Sequence, residues 1–163
     1  IQDNVIEVLR KGTYQVRTAK TEIFTNWFFK GDIHGDLTRL YFSFNNLKTI
    51  QQHTFADLFK LEQIHLDDNK IESLERRSFM NLKNLKRLNL KGNKLSSIVY
   101  ETFQNLPELE DLDVSYNNLN SLDFSMFDQV GSLGMFHLNV SHNKLEKLVL
   151  NPSTNFEAEL GNT

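Results

Sequence analysis

Apolar residues recur along this chain in a fixed order. It is plainest from Leu85 onward: Leu85, Leu88, Leu90, Asn93, Leu95, Ile98, Phe103 and Leu106, after which Leu109 begins again. The same order opens at Leu37 (Leu40, Phe42, Asn45, Leu47, Ile50, Phe55, Leu58) and at Leu61 (Ile64, Leu66, Asn69, Ile71, Leu74, Phe79, Leu82). A fourth copy holds Leu109, Leu112, Val114, Asn117, Leu119, Leu122, Phe127 and Val130. Three successive steps of 24 residues separate Leu37, Leu61, Leu85 and Leu109, a repeat rather than a coincidence. A fifth copy (Met135, Leu138, Val140, Asn143, Leu145, Leu148) arrives two residues late, with the extra residues expected around Gly131 to Gly134.

The Leu-x-Leu alternation is strand geometry: the leucines point inward and the residues between them outward. One short strand per coil stacks into a parallel sheet at about 4.8 Å per repeat. Asn45, Asn69, Asn93, Asn117 and Asn143 follow each strand where the chain bends inside, so their amides are expected to satisfy buried backbone groups. Phe55, Phe79, Phe103 and Phe127 are expected to fill the wider far side.

Residues 1–36 do not follow the pattern. Val5–Arg10 and Thr13–Arg17 read as two strands around Lys11-Gly12, and Trp27-Phe28-Phe29 as an apolar cluster. Val16 and Ile23 stand 24 residues before Leu40 and Leu47, which suggests a degenerate repeat. The segment is expected to cap the solenoid, and residues 37–150 to form five repeats. Residues 151–163 read as a tail or the start of a further repeat, with Phe156 able to replace the missing convex phenylalanine. An apolar end left open there predicts a longer parent protein or a covering partner.

Composition changes this picture little. The net charge of −3 gives no reason to expect nucleic acid or an anionic membrane, and no apolar run is long enough to span a bilayer. Cysteine is absent, which removes disulfides and thiolate metal sites and by itself leans toward a reducing compartment.

These motifs resemble the 24-residue class of leucine-rich repeats. Leu112-Asp113-Val114-Ser115-Tyr116-Asn117 and Leu138-Asn139-Val140-Ser141-His142-Asn143 are similar to repeats of insect Toll-like receptor ectodomains and of mosquito leucine-rich repeat immune proteins. The resemblance implies an α/β solenoid, a horseshoe with a parallel sheet on its concave face and a 3-10 or irregular convex side. It also implies an extracellular location, secreted or in an ectodomain, and a role in protein recognition in innate immunity. Family members usually carry cysteine-stapled caps, which this chain lacks.

Function, on this reading, falls to the outward strand positions. The candidate partner-binding residues are Arg39, Tyr41 and Phe44; Gln63, His65 and Asp67; and Arg87, Asn89 and Lys91. Asp111, Asp113, Tyr116 and His137 complete the set. Ser43, Asp68, Ser115, Ser141 and His142 share these outward columns. Exposed aromatics and arginines are the residue types that anchor interfaces. Asn139-Val140-Ser141 is a glycosylation sequon on the same face. His65, His137 and His142 would make binding sensitive to pH.

The partner expected is a protein, with homo- or hetero-oligomerisation of a larger repeat protein as the alternative. No cofactor or metal is expected. Gly31-Asp32-Ile33-His34-Gly35 matches a metal-binding turn of calcineurin-like phosphoesterases, but Gly92-Asn93-Lys94 stands where a further ligand motif is needed, so it reads as a turn.

Overall fold

The computed structural model describes residues 4–10, 13–18, 23–24, 37–55, 58–127, 130, 136–149 and 156–161, with backbone alone for 4–24, 147–149 and 156–158. Alternation is realised in every described repeat. Strands β4 (Arg39–Tyr41), β6 (Gln63–His65), β8 (Arg87–Asn89) and β9 (Asp111–Asp113) each bury their central residue and turn the two flanking ones outward. They pair in parallel with Leu40, Ile64, Leu88 and Leu112 in register. Strand β11 (Phe136–Asn139) adds Leu138 against Leu112.

Among the described residues this concave sheet has eight strands. Strands β1 (Asn4–Arg10) and β2 (Thr13–Thr18) are an antiparallel pair at one edge, and β13 (Phe156–Glu159) lies at the other. Three further short strands and one pair line the coil behind it: β3 (Ile23–Phe24), β5 (Thr49–Ile50) and β7 (Ser73–Leu74) form one ladder. Strands β10 (Ser121–Asp123) and β12 (Lys147–Val149) form another. Helix among the described residues is a 3-10 turn at Phe124–Phe127, so the architecture is a parallel-sheet solenoid.

The interior is built from columns. Leu37, Leu61, Leu85 and Leu109 are fully buried, as are the leucines and isoleucines of the strands. Phe55, Phe79, Phe103 and Phe127 stack in line, with ring centroids 5.1, 5.9 and 6.0 Å apart. Such contacts add to the area each ring removes from water. The asparagines behave alike: Asn93 donates to the Leu66 and Leu90 carbonyls at 3.0 Å and accepts from the Ile71 N–H at 2.9 Å. Asn69, Asn117 and Asn143 make the equivalent bonds, each closing its own bend and clasping the coil before it. Buried backbone groups that water cannot reach thus find partners.

Departures from the 24-residue step are local. Leu106 bridges Val130 at a step of 24, whereas Asp111 pairs with His137 at 26. The two extra residues therefore fall between Val130 and Phe136. Phe136 itself is buried and packs on Phe127 at 5.5 Å. At the first coil, Tyr14 pairs with Leu40 and Ile23 with Thr49, a step of 26. The expected alignment of Val16 with Leu40 is corrected by two residues, because the first connection is longer than a regular repeat.

The last step is shorter than expected. Phe136 pairs with Phe156 and Leu138 with Ala158, a step of 20, so Phe156 opens a concave strand and does not replace a convex phenylalanine. Trp27-Phe28-Phe29 and Gly31–Gly35 lie outside the described residues.

Candidate recognition surface

Four rows run across the coils, the first two set by strand alternation and the other two by the bend that follows each strand. The first holds Arg39, Gln63, Arg87, Asp111 and His137, and the second Tyr41, His65, Asn89, Asp113, Asn139 and Glu159, each neighbour one strand away. The third holds Ser43, Asp67, Lys91, Ser115 and Ser141. The fourth, one residue further and just before the asparagines, holds Phe44, Asp68, Gly92, Tyr116 and His142.

Charge is unevenly spread over the two strand rows. Arg39 and Arg87 lie on the early strands, while Asp111, Asp113 and Glu159 lie on the later ones. Arg39 stands 3.9 Å from Glu62, and Arg87 is exposed with no ion pair among the described residues. The Arg39 Nε and the His65 Nε2 are enclosed without a hydrogen-bond partner among those residues. His65 lies flat against Tyr41, with ring centroids 4.6 Å apart. Burial holds the His65 imidazole below its ordinary pKa, with Arg87 opposing protonation and Asp67 and Asp111 favouring it.

His137 is set differently. Partial burial works against its charged form, but its Nδ1 faces Asp111 at 3.3 Å and its Nε2 faces Glu159 at 3.4 Å, and together these raise its pKa. A protonated ring donates to both carboxylates at once and ties β9, β11 and β13 together; a neutral ring can donate to one.

Several expected contact residues also have local work. Asn89 accepts from the Lys91 N–H at 3.0 Å, Asp113 from the Ser115 N–H at 2.8 Å, and Asn139 from the Ser141 N–H at 3.0 Å. Three consecutive coils thus use an Asx side chain to hold the bend after the strand. The Ser141 hydroxyl also donates to the Asn139 Oδ1 at 2.8 Å. Asp67 accepts a 2.7 Å bond from the Ser43 hydroxyl. Ser115, expected outward, is instead 1% exposed, its short side chain turned in at the bend that Asp113 holds.

The fourth row is set by backbone conformation. Phe44, Asp68, Gly92, Tyr116 and His142 all have left-handed φ, between 52° and 67°. Glycine takes this conformation freely, aspartate tolerates it, and an aromatic residue pays for it in strain. Phe44 is nevertheless 78% exposed and Tyr116 50% exposed. Tyr116 is flanked by the Lys91 ammonium 5.1 Å from its ring centre and by the stacked His142 ring at 4.1 Å. The side-chain pattern counted Phe44, Asp68, Tyr116 and His142 among the outward positions but did not set them apart as a row, since the row's signature is a backbone angle.

Among the described residues no three histidine, aspartate or glutamate side chains converge on a possible metal position. Asn93, in the segment compared with a phosphoesterase ligand motif, is consumed by its backbone bonds. No helix is long and apolar enough to cross a membrane among those residues.

A solenoid with one concave strand, one asparagine clasp and one convex phenylalanine per coil defines a repeat scaffold of the leucine-rich class. The leucine rich repeat family model matches residues 35–95, 59–119 and 83–145, and the chain belongs to that family of non-enzymatic protein-interaction modules.

Among solved structures the chain is similar to TLR13 in a complex with ssRNA13 (TM-score 0.75, 30% identity) over 86% of this chain and 20% of that one. It is also similar to Toll in the Toll–Spatzle complex of Drosophila (TM-score 0.64, 27% identity), over 82% of this chain and 20% of that one. The leucine-rich repeat domain of APL1B shares the fold at 24% identity (TM-score 0.61), over 76% of this chain and 42% of that one. A segment of 34 residues is 68% identical to chaoptin of Tribolium castaneum, covering 21% of this chain and 4% of that protein. The chain thus spans a small part of these relatives.

Proposed function

We propose that this chain is the recognition segment of an extracellular insect leucine-rich repeat protein of the innate immune system, and that it binds a protein through its concave rows. The observation that carries the reading is a division of labour in the structure. Leucine, asparagine and phenylalanine columns are buried and nearly invariant from coil to coil, while the two outward strand rows change at every step. A regular sheet presenting irregular side chains is a surface for complementarity, not chemistry.

The likeness to Toll, seen in its complex with Spatzle in a study of Drosophila development and innate immunity, supports the extracellular and immune parts of the reading. TLR13 is seen with an RNA. For this chain a protein partner fits better, since Asp111, Asp113 and Glu159 on the later strands would repel a phosphate backbone. The interface centre is assigned to Tyr41, Gln63, His65 and Arg87, with Arg39, Asn89, Lys91, Asp111, Asp113 and His137 around it.

Capture of proteins from native extracellular fluid tests this, using the wild-type chain beside Tyr41→Ala and Arg87→Ala. Loss of a captured protein with both variants is the expected result; unchanged capture would sink the concave assignment. Asn139 is proposed to carry a glycan at the later end of the face. A mass shift removed by amidase treatment after expression in insect cells, and absent from Ser141→Ala, is the expected result.

A further inference from the structure

The left-handed row at the rim of the sheet has a pattern that the fold does not require. Its backbone asks for glycine or a small polar residue, and Gly92 and Asp68 show both solutions within the same chain. Phe44 and Tyr116 keep large rings there, strained and exposed. Strain that persists on an exposed aromatic side chain points to a use outside the fold. We infer that this rim is a docking ridge for an extended protein segment of the pattern apolar–x–basic–x–apolar, running across the strands along the solenoid axis.

Spacing supports that occupant. Phe44 and Tyr116 are three coils apart, about 14 Å at the usual strand separation. In an extended segment, residues i and i+4 point the same way about 13.5 Å apart, with residue i+2 about 7 Å along. Asp68 meets that middle position. Its Oδ1 leans over Gly92, 2.5 Å from where a β-carbon would stand, and so lies between the levels of the two coils. Asp68 is exposed and has no ion-pair partner among the described residues, unlike Asp67, whose carboxylate already accepts the Ser43 hydroxyl. Glycine at 92 leaves room for a side chain of the partner to reach it. The Lys91 ammonium is turned away onto the Tyr116 ring, where it would disfavour a second cation at the far end.

The inference rests on the protein-recognition reading but uses the rim in place of the strand rows, so the two can fail separately. Panning displayed random heptapeptides against the protein should enrich sequences with Lys or Arg flanked two residues away on each side by apolar residues. A synthetic peptide of the enriched sequence should lose at least tenfold in affinity with each of Phe44→Asn, Asp68→Asn and Tyr116→Asn. Asparagine tolerates the left-handed conformation, so all three variants should keep the wild-type circular dichroism spectrum. Enrichment of no such pattern, or a peptide indifferent to these substitutions, overturns the ridge. A peptide that responds to Arg87→Ala and Asp111→Ala and not to the rim variants overturns it too, while leaving the concave reading standing.

Discussion

Two columns one residue apart make the most informative comparison in this molecule. Asn45, Asn69, Asn93, Asn117 and Asn143 are chemically identical and 6–8% exposed. Immediately before them, Phe44, Asp68, Gly92, Tyr116 and His142 share one backbone conformation but range from a bare glycine through a carboxylate to aromatic rings. The first column is constrained by what each side chain must bond, the second only by what each φ angle must be. Where the fold demands a partner, one residue type recurs; where it demands only an angle, the side chain is free to face outward and serve something else.

The comparison can be broken from the inside first. Phe103→Ala removes a fully buried ring between Phe79 and Phe127 and should destabilise by about 3–5 kcal/mol in urea unfolding. Asn93→Ala orphans the Ile71 N–H and deprives the Leu66 and Leu90 carbonyls, and should cost about 3 kcal/mol by the same measurement. A loss near zero would show that water replaces the clasp.

The rim column should answer in the opposite direction. Phe44→Gly relieves left-handed strain and should stabilise by about 1 kcal/mol. Tyr116→Gly forfeits its contacts with Lys91 and His142 and should come out near neutral. Gly92→Ala gains the strain and also meets Asp68, so it should cost about 1–2 kcal/mol.

The smallest effects are electrostatic and separate two histidines of the strand rows. His137 is raised in the fold, so its contribution to stability is complete below pH 6.5 and is lost as pH rises through its folded value. His65 is lowered, so stability is lost as pH falls below 6.5 toward its folded value. Proton NMR titration should find His137 above and His65 below that reference. His137→Gln should remove the loss on the alkaline side; an unchanged pH profile would show that Asp111 and Glu159 do not hold the ring.

The interior was legible in advance because the columns repeat: Leu, Asn and Phe at constant steps state both the strand and what lies behind it. Outward placement of Arg39, Gln63, Arg87 and Asp111 followed from alternation alone. The irregular parts were not legible for the same reason. Steps of 26 at the first coil and 20 at the last depend on how far a connection travels, which no single residue type announces. Ser115 turned inward, and Asn89, Asp113 and Asn139 acquired backbone bonds, because the bend after each strand is a local hydrogen-bonding problem invisible to a hydrophobic pattern.

The asparagine clasp has a mechanical consequence. Each amide holds the coil before its own, so tension applied along the chain meets the fasteners one at a time, in order, and cannot load them together. Stretching this protein between its ends should therefore give a sawtooth, each tooth releasing one coil, with about 80 Å of slack for a coil of 24 residues.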